Sequence, residues 1–198
     1  MQAPCTIYVV VQEKIIFVNE DGTPTGELGD KLESHHSDTK LHLAFSCYVF
    51  DDEGKFLVTQ RALVKKVWPG VWSNSLCGHP SPGEDMIAAI ERRLQHELGM
   101  TAKDFQVALP SYKYKTPPFN GVIEHEFCPV YVARATTIPN PNPEEVEAYK
   151  WVDWQEYVEA LEADRGDVYS WWCKDQLKQI KNHPLIAQYS QALSGKVE

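Results

Sequence analysis

Cys77 and His79 lie two residues apart, directly before a segment with the pattern of an amphipathic helix that ends near Glu97. A thiol transfers protons or attacks electrophiles, whereas imidazole and carboxylate groups bind metal ions. These residues place both kinds of group in one loop and the helix that follows it. We therefore predict an active site within residues 68–99.

The predicted helix and its flanks carry regularly spaced polar residues and glycines. The residues in this pattern are Gly78, Glu84, Arg92, Glu97 and Gly99. Their spacing resembles the Nudix signature, Gly-x5-Glu-x7-Arg-Glu-U-x-Glu-Glu-x-Gly-U, in which U is aliphatic. Arg93 and His96 stand where that signature has glutamates. The carboxylate cluster that binds Mg²⁺ for diphosphate hydrolysis is therefore mostly lost, and Glu97 remains at its end.

The helix is predicted over residues 85–98 because apolar side chains recur every three or four positions. The apolar positions are Ile87, Ile90, Leu94 and Leu98. Arg93 and Glu97, four residues apart, lie together along the edge of this stripe, and Gly99 suits the residue that ends a helix. For the helix taken alone, the alternative is an ordinary amphipathic helix with a surface ion pair.

Histidines and glutamates from other parts of the chain form a candidate metal site. His35 and His42 flank the start of a predicted strand. Glu124 and Glu126 alternate with His125, so a strand would put both carboxylates on one face. That arrangement is costly unless a cation lies between them, or unless one is protonated or exposed to water. The full donor set is His35, His42, His79, Glu124 and Glu126. It suits Zn²⁺, Mn²⁺ or Mg²⁺, although any one histidine alone would more often be a surface or core residue.

Six short motifs follow one another along the chain. They are His35-x2-Asp38-Thr39-x-Leu41-His42, Arg61-Ala62-x-x-Lys65-Lys66, Trp68-Pro69-Gly70-Val71-Trp72, Ser75-x-Cys77-Gly78-His79-Pro80, Glu97-Leu98-Gly99 and Glu124-x-Glu126-x-Cys128-Pro129-Val130. In these motifs and their order, the chain resembles the type 1 isopentenyl-diphosphate isomerases. The resemblance extends from about Gly26 to Trp172, which is most of the chain.

This resemblance implies a fold and an activity. The fold is α/β, a Nudix-type α/β/α sandwich around a mixed β-sheet with extra N-terminal strands, in one domain of residues 1–198. The activity is the interconversion of isopentenyl diphosphate and dimethylallyl diphosphate in isoprenoid biosynthesis, by a metal-assisted protonation and deprotonation. The expected substrate is thus a small-molecule diphosphate.

The resemblance also implies roles for individual residues. Cys77 and Glu126 would be the acid/base pair, with Tyr114 assisting at the carboxylate. The positions that contact the substrate would be Lys31, Arg61, Lys65, Arg93 and Trp172. Glu97 and the backbone carbonyl of Cys77 would bind Mg²⁺ together with the diphosphate, and the histidine/glutamate site would hold Mn²⁺ or Zn²⁺ (or Mg²⁺).

Some assignments within this scheme stay open at the level of sequence. A one-residue alignment uncertainty leaves Trp171 as the alternative to Trp172, and core packing is an alternative for both. Spacing to the Asp-Thr pair favours His35 over His36 as the ligand. Cys77 lies in a loop that leads into a helix and is near cations, which predicts a lowered pKa and a thiolate at neutral pH. We expect no flavin, because no Gly-x-Gly-x-x-Gly pattern is present.

Composition limits the possible partners and location. The chain has 198 residues, is 43% hydrophobic and carries a formal net charge of −9, which argues against nonspecific nucleic-acid binding. Arg61, Lys65 and Lys66 nevertheless form a local cationic patch that suits a small anion. Five widely spaced cysteines favour free thiols and a cytoplasmic location. We expect no membrane segment, and a monomer or weak homodimer.

The pattern of strands and helices is mixed. We predict an N-terminal hairpin around residues 15–18, a second hairpin over residues 41–60, and strands near residues 105–114, 122–133 and 149–152. Further helices are predicted over residues 154–161, 171–180 and 185–193. Proline-rich breaks at residues 117–118 and 139–143 are interpreted as loops.

Two other functions compete with the isomerase. A Nudix hydrolase of a nucleoside diphosphate derivative would share the fold and the need for Mg²⁺, but should keep more carboxylates where Arg93 and His96 stand. A noncatalytic binding module on this fold would be expected to lose the acid or the base. Cys77 and Glu126 are both present, which favours an enzyme.

Overall fold

A computed structural model describes residues 13–193. Its elements in chain order are β1 (Lys14–Val18), β2 (Pro24–Asp30), α1 (Lys31–Ser34), β3 (His42–Leu43), β4 (Phe45–Phe50), β5 (Phe56–Arg61), β6 (Trp72–Ser73), β7 (Leu76–Gly78), α2 (Met86–Leu98), β8 (Ala102–Leu109), β9 (Lys113–Lys115), β10 (His125–Phe127), β11 (Val130–Ala135), β12 (Val146–Val152), α3 (Trp154–Ala163), α4 (Trp171–Ile180) and α5 (Pro184–Tyr189).

The strands form two mixed sheets. The smaller sheet has the order β2-β1-β3-β10-β9, and the larger has the order β12-β5-β4-β11-β8 with β6 beside β5 and β7 beside β4. Strand β10 pairs in parallel with β3, and strand β11 pairs in parallel with β4. The other strand pairs are antiparallel. The extra N-terminal strands predicted from the sequence are therefore present as β1 and β2.

Helices cover both faces of the larger sheet, as the alternation of side chains along β4 requires. Phe45, Cys47 and Val49 pack with the apolar face of α2. Tyr48 and Phe50 point to the opposite side, where they share a core with α3, α4 and α5. The prediction of an α/β/α sandwich is thus confirmed.

Helix α2 agrees with its predicted limits. Asp85 is its N-cap, and its side chain accepts hydrogen bonds from the backbone N–H groups of Ile87 and Ala88. Gly99 ends it with a left-handed φ of 56°. The predicted apolar stripe is wrong at one position, because Ile87 in the first turn is 39% exposed while Ala89 is buried.

Two predicted strands are broken where the chain passes between the sheets. The stretch at residues 105–114 divides into β8 in the larger sheet and β9 in the smaller, and the stretch at 122–133 divides into β10 and β11. Pro110 and Pro129 lie at these breaks, where a residue without a backbone N–H cannot continue the ladder. The last helix also ends earlier than predicted, at Tyr189.

No helix within residues 13–193 is long and apolar enough to cross a membrane. Four of the five cysteines fall in this range, and all four are free: Cys47, Cys77, Cys128 and Cys173. The remaining residue, Cys5, lies outside the described residues. The free thiols agree with the interpretation from cysteine spacing.

Candidate active site

Strand pairing in the smaller sheet brings three candidate residues side by side. Glu126 on β10 lies opposite His42 on β3 and opposite Tyr114 on β9. Opposed residues in neighbouring strands share a face of the sheet, so the three side chains are direct neighbours. The short strand β3 thus connects residues that are far apart in sequence.

The larger sheet contributes the second half of the site. Strand β7 pairs with β4 so that Cys77 lies opposite Ser46, and His79 follows β7 directly. His35 follows the short helix α1. The site therefore lies where the chain passes from the smaller sheet to the larger one, between β3 and β4.

Three histidines and one glutamate form a tight group. Their ligand atoms all lie within 4.8 Å of one another, and the group comprises His35, His42, His79 and Glu126. The Nε2 atoms of His42 and His79 are 3.2 Å apart, and His79 Nε2 lies 3.1 Å from Glu126 Oε1. Four of the five predicted donors are therefore brought together.

Hydrogen bonds to the backbone orient two of these imidazoles. His42 Nδ1 donates to the Lys40 carbonyl at 2.9 Å, and His35 Nδ1 donates to the Lys31 carbonyl at 2.5 Å. Because each Nδ1 carries the proton, each Nε2 is left with its lone pair directed to the group. Such outer contacts are typical of histidines that bind metals. The donor set therefore fits a divalent transition metal.

The neighbouring His36 has a different role. Its Nδ1 accepts a hydrogen bond from the Asp38 backbone N–H at 3.0 Å, and the side chain is exposed. The structure places His35, and not His36, within the metal-binding group. This agrees with the choice made from sequence spacing.

Glu124 and Glu126 share a face, as their spacing predicts, but Glu124 is not in the group of four. The Tyr114 hydroxyl lies 2.8 Å from Glu126 Oε2 and 3.1 Å from Glu124 Oε2, so it links the two carboxylates. His125 points the other way, to the Thr39 carbonyl. Glu124 thus stays a predicted ligand. In the structure it is connected to the group of four through the Tyr114 hydroxyl, which contacts Glu126.

Burial and charge set the ionisation of this group. Burial acts to raise the pKa of Glu126, but the adjacent imidazoles of His42 and His79 outweigh it and hold that pKa well below its usual value. Burial, together with the charge of Glu126, raises the pKa of Glu124 to about 7. Burial lowers the pKa of His79 to about 4. The site thus combines an ionised carboxylate with an imidazole that is neutral at pH 7.

The prediction of a lowered thiol pKa is wrong. Burial raises the pKa of Cys77 well above its ordinary value, and the charge of Glu126 acts in the same direction. The thiol donates to Asn74 Oδ1 at 3.2 Å, and Ser46 Oγ lies 3.3 Å from the sulfur. The cationic side chains expected to favour a thiolate do not offset the loss of water around the sulfur.

Sequence reasoning missed the residues that hold this thiol. Asn74 donates through Nδ2 to the Cys47 and Leu76 carbonyls, so its oxygen is directed to Cys77. Gln176 is fully buried and donates to Ser46 Oγ at 2.8 Å. The polar run Ser73-Asn74-Ser75, which ends two residues before Cys77 in an otherwise apolar context, was the available signal for Asn74.

The predicted diphosphate-binding cations are connected through carboxylates. Lys31 pairs with Glu13, whose Oε1 lies 3.5 Å from Arg93 Nη1. Arg93 is buried and donates through Nε to Glu97 at 2.9 Å. The expected pairing of Arg93 with Glu97 is confirmed, but sequence reasoning missed Glu13.

On the other side of Arg93, a second carboxylate and the remaining cations complete the cluster. Lys65 pairs with Glu145, whose Oε2 lies 3.5 Å from Arg93 Nη2. Arg61 donates to the Val67 carbonyl at 3.1 Å, and its buried Nε has no hydrogen-bond partner among the described residues. All four predicted cations therefore lie in one polar region, which adjoins Cys77 through a cavity shared by Arg61, Cys77, Glu97 and Glu145.

The two candidate tryptophans face different neighbours. Trp172 is buried, donates to Ser73 Oγ at 3.0 Å and lies 5.7 Å from the Arg61 guanidinium. Trp171 is partly exposed, and its ring lies 5.9 Å from that of Tyr114. Trp172 is thus nearer the cations, and Trp171 is nearer the tyrosine that contacts Glu126.

Comparison with solved structures agrees with this fold. DR0079 from Deinococcus radiodurans superposes with a TM-score of 0.64 at 17% identity, covering 84% of this chain and 98% of that one. A MutT NUDIX hydrolase from Burkholderia pseudomallei gives a TM-score of 0.52 at 21% identity, covering 71% and 98%. At these identities the likeness shows the fold alone, which is that of a NUDIX domain.

Sequence comparison is more specific. A model of the NUDIX domain matches residues 40–172. The isopentenyl-diphosphate Delta-isomerase of Frankia alni is 46% identical over 188 residues, covering 94% of this chain and 95% of the relative. Those of Rhizobium rhizogenes and Citrobacter koseri are 48% and 43% identical, covering 90% of this chain and 84% and 98% of the relatives. The chain therefore belongs to the NUDIX domain family and, within it, to the family of isopentenyl-diphosphate Delta-isomerases.

Proposed function

We propose that this protein interconverts isopentenyl diphosphate and dimethylallyl diphosphate by moving one carbon–carbon double bond. One observation carries the proposal: a half-buried thiol and a buried glutamate lie beside one candidate metal-binding group and one cationic pocket. The thiol is that of Cys77, and the charge of Glu126 is close enough to raise its pKa. The relatives that bear the name of this enzyme agree with that chemistry.

The reaction needs one acid and one base. A proton is added at the terminal carbon of the alkene and another is removed from C2, through a tertiary-carbocation-like state. An unactivated alkene is a very weak base, so the acid must be strong locally and water must be excluded while the cation exists. The enclosure of Cys77 Sγ and of the Glu126 carboxylate suits the exclusion of water.

We assign these two steps to Cys77 and Glu126. Sγ of Cys77 carries a proton that it can transfer, and Asn74 and Ser46 fix its position. Glu126 exchanges a proton at Oε2, the oxygen that accepts from the Tyr114 hydroxyl, while Oε1 faces His79. Tyr114 orients the carboxylate between the two sheets, and its own pKa is raised by burial, so it remains a hydrogen-bond donor.

The metal-binding group supports the glutamate. His35, His42, His79 and Glu126, with Glu124 as a fifth predicted donor, would hold Mn²⁺ or Zn²⁺ (or Mg²⁺). A divalent cation bound there would supply positive charge that keeps the Glu126 carboxylate ionised, so that it can receive the proton removed from C2. No flavin is needed in this scheme.

The cationic pocket binds the other end of the substrate. Lys31, Arg61, Lys65 and Arg93 would contact the diphosphate, and Glu97 with the Cys77 backbone carbonyl would hold the accompanying Mg²⁺. Because Arg93 replaces a glutamate of the Nudix signature, this pocket grips a diphosphate rather than splitting it. That replacement is the reason to prefer the isomerase over the hydrolase.

An aromatic side chain would face the carbocation. A cation over an indole gains about 2 kcal/mol when it is desolvated. Trp172 is the residue favoured by sequence spacing, and Trp171 is the alternative because its ring lies near that of Tyr114. Substituting each by leucine in turn would identify the one whose loss slows turnover.

The direct test is incubation of the purified protein with isopentenyl diphosphate and Mg²⁺ in the absence of flavin. Proton NMR should show dimethylallyl diphosphate accumulating, and a chelator should stop the conversion. Release of phosphate or pyrophosphate in place of the allylic product would support the hydrolase instead. We further expect a cytoplasmic monomer or weak homodimer that binds no nucleic acid or membrane.

A further inference from the structure

Glu145 lies among the cations of the proposed diphosphate site, although neither the reaction nor the metals require it. It directly precedes β12, and one of its carboxylate oxygens, Oε2, contacts Lys65 Nζ and lies 3.5 Å from Arg93 Nη2. Its other oxygen lies 3.4 Å from His96 Nε2. Lys65 and Arg93 therefore converge on a single carboxylate oxygen, as they would on an oxygen of a bound phosphate group.

The space beside this carboxylate is too small for the substrate. The cavity bounded by Arg61, Cys77, Glu97 and Glu145 has a volume of about 30 Å³. A volume of that size holds about one to three water molecules. A diphosphate can therefore enter only after at least one of the bounding side chains has moved.

The backbone of Glu145 is firmly held, so the movement available to it is rotation of its side chain. The Glu145 carbonyl accepts from the Ala62 backbone N–H at 3.0 Å, and its own N–H donates to the Asn142 carbonyl at 3.0 Å. The next residue, Val146, pairs with Arg61 across the sheet. The carboxylate itself has no such restraint and is held only by ion pairs.

The charge balance makes this carboxylate a competitor. The region contains four cations and three carboxylates. The cations are Lys31, Arg61, Lys65 and Arg93, and the carboxylates are Glu13, Glu97 and Glu145. Burial acts to raise the pKa of Glu145, but Lys65 and Arg93 outweigh it and lower that pKa. The group is therefore an anion at neutral pH, and an arriving diphosphate must replace it at Lys65 and Arg93.

We propose that Glu145 is an internal competitor for the diphosphate: its carboxylate occupies Lys65 and Arg93 in the substrate-free protein and must swing away when a diphosphate binds. The inference rests on the proposed function, because it takes these cations as the diphosphate site. Substrate and product carry the same diphosphate group, so the competitor weakens both and speeds the release of product. Glu145 thus sets the affinity of the site.

The test is calorimetric titration of inorganic pyrophosphate, with Mg²⁺ present, into the wild type, Glu145→Gln and Glu144→Gln. Glu144 is exposed and adjacent, so its variant removes the same charge without touching Lys65 or Arg93. Glu145→Gln should bind pyrophosphate about fivefold more tightly, which corresponds to the loss of one partly buried ion pair. Glu144→Gln should stay within about twofold of the wild type.

Each other outcome is decisive. Unchanged or weaker binding by Glu145→Gln would overturn the inference, because Glu145 would then merely orient the cations. Tighter binding could not come from a structural defect, since a defect of that kind weakens binding. No binding of pyrophosphate by the wild type would count against the proposed function as well. Should Glu145→Gln fail to fold, Glu145→Asp, which keeps the charge but is one methylene shorter, should bind about fourfold more tightly, and a gain within the control's twofold margin would overturn the inference.

Discussion

At the scale of single residues, the Cys77 thiol lies between an acceptor and a donor. The Asn74 amide oxygen accepts its proton, because the amide nitrogen of Asn74 is committed to two backbone carbonyls. Gln176 donates to the Ser46 oxygen, so the Ser46 hydroxyl proton is free to point to a sulfur. This arrangement stabilises the protonated thiol and also provides a hydrogen bond for the sulfur once its proton has been transferred.

Replacing Cys77 should separate chemistry from stability. We expect Cys77→Ala to lower the turnover number more than about a thousandfold, because the proton carried by Sγ is lost. Cys128→Ala is the matched control, since Cys128 is also buried and its sulfur lies 3.4 Å from the same Ser46 hydroxyl. The control should lose less than about tenfold. Similar losses in both variants would remove the special role of Cys77.

Replacing His42 should remove the metal rather than unfold the protein. His42→Asn loses the Nε2 that lies 3.2 Å from His79 Nε2, so elemental analysis of the purified variant should show less than half of the wild-type transition-metal content. His125→Asn is the control because that imidazole points to the Thr39 carbonyl. Stoichiometric metal in His42→Asn would show that His42 is structural.

Residue types and motif order predicted His35, His42, His79, Glu124 and Glu126 as one donor set, and the structure brings all of them except Glu124 into one group. The sequence could not predict the ionisation of Cys77. Burial of a sulfur depends on β4, β7 and α4 packing around it, and none of these contacts is local in sequence. For the same reason Glu13 and Glu145 were missed as counter-ions of Arg93.

At the scale of elements, helix α2 carries Arg93 and Glu97 into the site, and its two ends fix its position. At the C-terminal end, the Leu98 and Glu97 carbonyls accept from the backbone N–H groups of Asn140 and Asn142. At the N-terminal end, Glu84 forms two hydrogen bonds with Arg92, at 2.7 and 2.8 Å. Both ends are therefore secured by residues outside the apolar stripe.

Gly99 should tolerate no side chain. Its φ is 56°, and a Cβ there would lie 2.6 Å from the Asn140 carbonyl oxygen. Gly99→Ala should therefore lower the free energy of unfolding by at least about 2 kcal/mol in urea. Gly83→Ala is the control, since Gly83 has φ +79° but open space around it, and should cost only about 1 kcal/mol. Equal losses would mean that the loop moves aside.

The Glu84–Arg92 ion pair should make stability depend on pH. The hydrogen bond from Arg92 lowers the pKa of Glu84 to about 2, so its contribution is complete above about pH 4.5 and is lost as the pH falls through 2. Glu84→Gln should lower the free energy of unfolding by about 1 kcal/mol at pH 6, and by less at pH 3. Urea unfolding at both pH values measures this.

The control for this pH effect is Glu91→Gln, an exposed glutamate on the same helix. It should match the wild type within about 0.3 kcal/mol at both pH values. The free energies of unfolding of Glu84→Gln and the wild type should therefore differ less at pH 3 than at pH 6. If that difference stays constant, a role for the ionised carboxylate is contradicted.

Most elements follow from local patterns, and the exceptions have physical causes. Helix α2 was predicted within one residue because its cap, stripe and terminal glycine agree. The divisions between β8 and β9 and between β10 and β11 were missed, since each half retains strand-forming residues. The chain passes from one sheet to the other at Pro110 and Pro129 because two separate sheets pack together. That packing is not encoded in a local sequence pattern.

At the scale of the whole molecule, the site exists because two sheets meet. The smaller sheet supplies His42, Tyr114 and Glu126, and the larger supplies Cys77, with His79 directly after it. Neither sheet holds both members of the proposed acid/base pair. The extra strands β1 and β2 extend the smaller sheet and place Lys31 at its edge, where Glu13 connects it to Arg93 of α2.

The central claim is that a proton is added to one carbon of the substrate and another is removed from a second carbon, while the diphosphate stays intact. The most direct measurement is incubation with isopentenyl diphosphate and Mg²⁺ in deuterated water, followed by NMR and mass analysis of the product. We predict dimethylallyl diphosphate with deuterium in the newly formed methyl group and no free phosphate. Unlabelled product, or release of phosphate or pyrophosphate, would contradict the account.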